Sequence, residues 1–99
     1  MTIDQELEQA TQFIIGRDNT GYPVMLEARD QRDGPRRWCV KIDSQVLRKS
    51  GVWECEPMPS SRTEAFFKRT RFASTAEARA VYAKMVSRPK YRAAGWTIA

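Results

Sequence analysis

One segment of this sequence, residues 75–87, has the full pattern of an amphipathic helix. Ser74 and Glu77 form a capping box, in which each side chain satisfies a backbone N–H group of the first turn. The apolar residues recur every three or four positions as one stripe, which consists of Ala78, Val81, Tyr82, Met85 and Val86. The helix ends before Pro89, because the residue before a proline avoids helical backbone. A helix with one apolar stripe must cover a second layer, and this requirement constrains the rest of the fold.

The middle of the sequence supplies that second layer, because apolar and polar residues alternate there as in half-buried strands. Strands are predicted at 37–42, 52–56 and 66–72, with a turn at 47–51 between the first two. The last of these strands is expected to present Phe66 and Phe72 on one face, and Phe67, Arg69 and Arg71 on the other.

A tight turn with the sequence Asp-Asn-Thr-Gly at 18–21 predicts a hairpin between strands at 12–17 and 22–29. The preceding apolar residues have helical spacing. We predict a short helix at 3–10 before the first strand, and the alternative is a single helix that reaches Gly16.

Residues 1–99 are therefore predicted to form one α+β domain. It has an antiparallel sheet of about four to five strands, one long C-terminal helix packed on one face, and the short N-terminal helix.

The longest apolar runs are far shorter than the roughly 20 residues of a membrane-spanning helix. The N-terminus is acidic and lacks the apolar region of a signal peptide, so a cytoplasmic protein without membrane contact is expected. Cys39 and Cys55 are then interpreted as reduced thiols, with a disulfide or redox role as the alternative.

The sequence lacks the residues that most enzymes use. It contains no histidine, which excludes Ser-His and Cys-His nucleophilic pairs and the commonest zinc ligand. It also has no glycine-rich phosphate loop. Glu54 and Glu56 share one strand face, where a carboxylate pair could do acid–base chemistry, but two solvated charges on an exposed face are the expected arrangement. We predict a protein with no catalytic activity, metal or cofactor.

Charge is distributed unevenly along the chain. Residues 1–33 contain 3 basic and 7 acidic side chains, whereas residues 34–99 contain 14 basic and 5 acidic ones. Arginine provides 12 of the 17 basic residues, and its planar guanidinium suits bidentate contacts with phosphate or carboxylate. A functional basic face and a general preference for arginine both explain this pattern.

Basic and aromatic residues interleave around 62–72, as they do on nucleic-acid-binding surfaces. The alternative is that Phe66 and Phe72 belong to the core and the charged residues are solvated. A second basic cluster, Arg88, Lys90 and Arg92 around Tyr91, follows the long helix. The alternative explanation is that cations are favourable near a helix C-terminus. An exposed tryptophan would be the best aromatic anchor, with Trp53 as the candidate. Trp96, in the terminal segment after Gly95, is either such an anchor or a cover over the open end of the sheet. The candidate binding residues are Arg36, Arg37, Trp53, Arg62, Lys68, Arg69, Arg71, Lys90 and Arg92.

The second half of the chain resembles a known family. The run FASTAEA at 72–78, followed by Tyr82, Lys90 and the pair Gly95-Trp96, resembles the end of WGR domains, which read roughly F-x-S-x-x-E-A, a helix, a lysine and then G-Y or G-W. The resemblance covers about residues 36–96, although the Trp-Gly-Arg triplet is missing near 53–59. Members of the family are small sheet-plus-helix modules associated with nucleic-acid binding, so the resemblance implies a ligand of that class.

Two functional hypotheses follow. The first is a small basic protein that contacts nucleic acid or a nucleoprotein complex through its Arg/Lys-rich face. The second is an inhibitor or adaptor from a phage or mobile element, comparable to anti-CRISPR proteins, which blocks a host complex by contact with an acidic protein partner. Arginine and tryptophan dominate protein–protein hot spots, so the composition fits both. The sequence does not determine the oligomeric state.

Overall fold

A computed structural model of the protein describes residues 12–29 and 37–99. The described strands form one antiparallel sheet in the order β5-β4-β3-β2-β1-β6. The strands are β1 (Gln12–Arg17), β2 (Pro23–Arg29), β3 (Arg37–Ile42), β4 (Gln45–Leu47), β5 (Trp53–Cys55) and β6 (Thr97–Ile98). The helices of this part of the chain are α1 (Glu64–Thr70), α2 (Thr75–Val86) and α3 (Pro89–Ala94), and Pro59–Ser61 form a 3₁₀ turn.

The α+β class and the antiparallel sheet are confirmed, but the finer prediction is wrong in two respects. The described residues contain six strands rather than four or five, and three helices rather than one long one. The short strands β4 and β6 were missed because two or three residues carry too little alternation to identify a strand. The predicted helix at 3–10 lies outside the described residues. Residues 12–17 form β1, so the alternative of one helix reaching Gly16 is wrong.

The hairpin between β1 and β2 is confirmed, and the Asp18 side chain organises its turn. Asp18 Oδ1 accepts hydrogen bonds from the Thr20 hydroxyl at 2.7 Å, the Thr20 amide at 2.8 Å and the Tyr22 amide at 2.9 Å. These bonds, chiefly that of the Thr20 hydroxyl, lower the pKa of Asp18. Gly21 completes the turn with a φ of 86°, a conformation that only glycine adopts without strain.

The main core lies between the sheet and α2. Ser74 caps this helix by accepting from the Glu77 amide at 3.1 Å, as predicted, while the Glu77 carboxylate accepts from the Ala73 amide instead of the Ser74 amide. The predicted apolar stripe faces the sheet, with Val81 half-buried and the other four residues buried. The buried core consists of Ile15, Val24, Leu26, Trp38, Val40, Leu47, Phe72, Ala78, Tyr82, Met85 and Val86.

The predicted strand at 66–72 is wrong, because residues 64–70 form the helix α1. Thr63 caps this helix by accepting from the Phe66 amide at 3.1 Å. Phe66 and Thr70 lie four residues apart on the buried face, whereas Lys68, which a strand would place beside them, is exposed. Phe66 and Thr70 share one face of a helix, and their spacing of four residues also fits the alternation of a strand, so the alternation did not indicate a strand.

The α1 helix lies on the face of the sheet opposite α2, which we call the outer face. Successive side chains of a strand point to opposite faces. Trp53 of β5 packs against the main core, so its neighbour Glu54 points to the outer face, where it binds Arg69 of α1. After α1 the chain returns to the α2 side, and Phe72 pairs with Trp38 of β3 through backbone hydrogen bonds of 2.9 and 2.7 Å.

The C-terminal segment contacts both edge strands of the sheet, β5 and β6. Trp96 directly precedes β6. The centroid of its ring lies 6.0 Å from that of Trp53 on β5 and 5.1 Å from that of Tyr91. Trp96 is half-buried and packs against the main core, so it is not an exposed anchor. Burial raises the pKa of Tyr82 to about 12, and its hydroxyl donates to the Thr97 carbonyl at 2.8 Å, which fixes β6 against α2.

Cys39 is buried on β3 and Cys55 is exposed on β5, and the two residues form no disulfide bond with each other. No helix in the described part of the chain is long and apolar enough to span a membrane.

Replacement of Gly16 tests the contact between β1, β6 and α2. A methyl group at this position would overlap the Thr97 carbonyl oxygen and the Tyr82 hydroxyl more closely than real Cβ atoms approach other atoms. Gly16→Ala is expected to lower the free energy of unfolding by about 2–3 kcal/mol, since overpacking forces backbone and side chains to shift. Chemical denaturation measures the change, with Gln12→Ala, an exposed position on the same strand, as the control. A Gly16→Ala protein as stable as the wild type would contradict the close packing of β1 against β6.

Candidate functional site

Glu56, which follows β5, holds three basic side chains on the outer face. Its Oε1 accepts from Arg62 at 3.1 Å and from Arg71 at 3.3 Å, and its Oε2 lies 3.6 Å from Lys41 Nζ. The side chains of Arg71 and Glu56 are only 1% and 6% exposed. Loss of one partner from a buried ion pair costs about 3–5 kcal/mol. Arg62 and Arg71, both predicted to bind a ligand, therefore hold α1 and the preceding loop against the sheet.

Glu54 holds two further arginines. Arg69 donates from Nε to Oε1 at 2.6 Å and from Nη2 to Oε2 at 3.0 Å, and Arg48 donates from Nε to Oε1 at 2.9 Å. These contacts lower the pKa of Glu54, with the hydrogen bond from Arg69 as the largest cause. The same bond raises the pKa of Arg69. In contrast to Arg71, the side chains of Arg48 and Arg69 are 39% and 43% exposed.

The prediction that Glu54 and Glu56 are solvated charges on an exposed strand face is wrong, because α1 and its preceding loop cover that face. Both carboxylates are ion-paired, and their side chains are 13% and 6% exposed. Two carboxylates face five cations in these contacts, so the two clusters together carry an excess of positive charge.

A shallow pocket of about 240 Å³ lies beside these ion pairs, and we call it the basic pocket. Its described lining includes four cations and no carboxylate. The lining residues are Arg37, Lys49, Phe67, Lys68, Arg71, Phe72 and Ala73. Arg71 is committed to Glu56, which leaves Arg37, Lys49 and Lys68 as the cations that a ligand can reach.

Local structure explains how three distant positions in the sequence meet at the basic pocket. The turn that carries Lys49 is fixed against α1, because the Lys49 amide donates to the Arg69 carbonyl at 2.8 Å. Lys68 is exposed on α1 itself. Arg37 begins β3, is half-buried, and lies with Cζ 5.2 Å from the Phe67 ring centroid.

The structure does not bring all the predicted site residues together. Lys90 and Arg92 are exposed on α3, where the Lys90 ammonium lies 5.7 Å from the Tyr91 ring centroid, and they do not line the basic pocket. Trp53 is half-buried against Trp96 and is not a free anchor. Arg36 lies outside the described residues.

Sequence reasoning missed Lys49 and the wall formed by Phe67. Lys49 follows Arg48 in a predicted turn, and a pair of cations at a turn was the signal that could have identified it. The contact between this turn and α1 depends on tertiary packing, which the sequence pattern does not show.

The comparisons with known proteins give no further assignment. No protein-family model, curated protein or solved structure matches the chain. The resemblance of residues 36–96 to WGR domains therefore remains a prediction.

The pH dependence of stability tests the Glu54 contacts. The pKa of Glu54 is lowered in the folded protein from its ordinary value of 4.5, so its contribution to stability is present above that pH. It is lost as the pH falls through 4.5 towards the lowered folded value. Unfolding free energies measured by denaturant titration between pH 6 and about 3 are expected to fall less steeply for Glu54→Gln than for the wild type.

Glu64→Gln, a change of an exposed glutamate at the start of α1, is the control for this measurement, and its profile should follow that of the wild type. Parallel profiles for Glu54→Gln and the wild type would contradict the assigned ion pairs.

Proposed function

We propose that the protein is a non-catalytic binding protein that contacts nucleic acid, alone or within a nucleoprotein complex, through the basic pocket. One observation carries the proposal: Arg37, Lys49 and Lys68 converge on a concave surface whose described lining contains no carboxylate. Cations that cluster on a concave surface raise the local positive potential, and this potential attracts anions.

The shape and composition of the basic pocket favour phosphate as the anion. Arginine and lysine are the usual partners of phosphate oxygens in nucleic-acid complexes, and such contacts do not depend on base sequence. Arg37 is held by the Phe67 ring, 5.2 Å from its centroid, so less side-chain entropy is lost when it binds. Lys49 and Lys68 are exposed, and a lysine ammonium on its flexible four-carbon stem can adapt to a phosphate backbone.

The competing hypothesis, an inhibitor or adaptor that binds an acidic protein, relied partly on a tryptophan anchor. None of the three tryptophans is exposed: Trp38 is buried, and Trp53 and Trp96 are half-buried against each other. The basic charge therefore supports the inhibitor hypothesis, but no exposed tryptophan is available as its anchor. We rank this hypothesis second.

Salt dependence tests the leading proposal. Fluorescence anisotropy with a short DNA duplex, a single strand and the corresponding RNAs is expected to show binding that weakens steeply with salt. The three cations of the basic pocket contribute about −3 to the slope of log K against log salt for duplex DNA. Lys49→Ala and Lys68→Ala should each weaken binding to all sequences alike and reduce the slope by about one.

Lys84→Ala is the matched control, because Lys84 is exposed on α2 and does not line the basic pocket. It should leave the slope unchanged. No binding at low salt would refute the proposal, and a pull-down from nuclease-treated host lysate then tests the acidic-protein alternative. A specific protein that is retained after nuclease treatment and lost with Lys68→Glu would support that alternative.

A further inference from the structure

The two outer-face carboxylates hold their arginines in different environments. Arg71 is almost completely buried with Glu56, and Arg62 is 13% exposed. Arg69 and Arg48, in contrast, share the single carboxylate of Glu54 with about two-fifths of each side chain exposed.

This difference in exposure changes the free energy of breaking the contacts. An exposed ion pair contributes about 0–1 kcal/mol, whereas breaking a buried pair costs about 3–5 kcal/mol. The exposed arginines of Glu54 can therefore exchange partners at a lower cost than those of Glu56, and the remaining cost is that of leaving the Glu54 carboxylate, 13% exposed, without them.

Arg48 and Arg69, the two arginines that bind Glu54, are sequence neighbours of two cations of the basic pocket, and their backbones meet at one place. Arg48 precedes Lys49, and Arg69 follows Lys68. The hydrogen bond of 2.8 Å from the Lys49 amide to the Arg69 carbonyl holds the two pairs of residues at one junction. A polyanion bound at Lys49 and Lys68 has to extend past this junction to reach the two guanidinium groups, which are not among the described lining residues of the basic pocket.

The geometry at Glu54 is also that of phosphate recognition. Arg69 uses Nε and Nη2 on both carboxylate oxygens, and this bidentate arrangement serves a phosphate equally well. Arg48 adds a second guanidinium to the same oxygen.

We propose that Arg48 and Arg69 form a second phosphate site, which the Glu54 carboxylate occupies in the free protein and which a nucleic-acid phosphate takes over on binding. This inference rests on the proposed function and extends it from the basic pocket to an adjacent phosphate along the same strand. Glu54 is then an internal competitor: it keeps the arginines ordered, and it disfavours weakly charged ligands that cannot displace it.

The test combines charge removal with salt titration on the full chain, with a short DNA duplex as the probe. Arg48→Ala and Arg69→Ala are each expected to weaken binding and to reduce the salt slope by about one. Glu54→Gln is expected to strengthen binding severalfold more than Glu64→Gln, which removes an equal charge from an exposed position on α1, one helical turn before Lys68.

The double variant Glu54→Gln/Arg69→Ala separates phosphate contact from a general charge effect. If Arg69 binds phosphate, its replacement reduces the slope in the Glu54→Gln background as well. Circular dichroism melting of each variant identifies any loss of affinity that comes from unfolding. Arg69→Gln, which removes the charge but keeps a long polar side chain, replaces any Arg69→Ala protein that does not fold.

The outcomes distinguish this inference from the proposed function. Weakening by Lys49→Ala and Lys68→Ala, together with unchanged slopes for Arg48→Ala and Arg69→Ala, would overturn the second phosphate site and leave the basic pocket in place. Equal effects of Glu54→Gln and Glu64→Gln would overturn the role of Glu54 as competitor. No binding by the wild-type protein would refute both proposals.

Discussion

The position of α1 on the outer face depends on the buried carboxylate of Glu56. Only Phe66 and Thr70 of this short helix are buried, so apolar contact alone anchors it weakly. Glu56 adds ion pairs to Arg71, directly after α1, and to Arg62 in the loop before it. A buried carboxylate is stable only when its partners compensate for lost hydration, and three cations provide that compensation here. Because both ends of α1 are held in this way, Lys68 faces solvent beside Lys49.

The elements that the sequence predicted are those whose signal is local. The α2 helix has a cap, a stripe and a stop within 16 residues, from Ser74 to Pro89, and it forms as expected. The β1–β2 hairpin follows from its Asp-Asn-Thr-Gly turn for the same reason. α1 was misread because Phe66 and Phe72 also fit a period of two, and a segment of seven residues is too short for periodicity to decide. The Thr63 cap three residues before Phe66 was the local signal for a helix.

The candidate site could be predicted only in part, because charge composition identifies cations but not their partners. Basic residues of the second half do gather on the outer face, as the uneven charge indicated. The sequence did not show that Glu54 and Glu56 would each bind several of them, since these contacts join residues up to 15 positions apart. The sequence also did not show that Arg71 is buried in an ion pair with Glu56 whereas Lys49 is accessible to a ligand. Exposure, which only the packed structure provides, makes that distinction.

The most direct test of the account is chemical-shift mapping of the backbone amides by NMR during titration with a short DNA duplex at low salt. The account predicts that the shifts concentrate at residue 37, residues 48–51 and residues 67–73, which surround the basic pocket and the Glu54 arginines, and that they disappear as salt is added. Shifts concentrated instead around the exposed Ile14 and Ile98 at the opposite sheet edge, or no shifts at low salt, would contradict it.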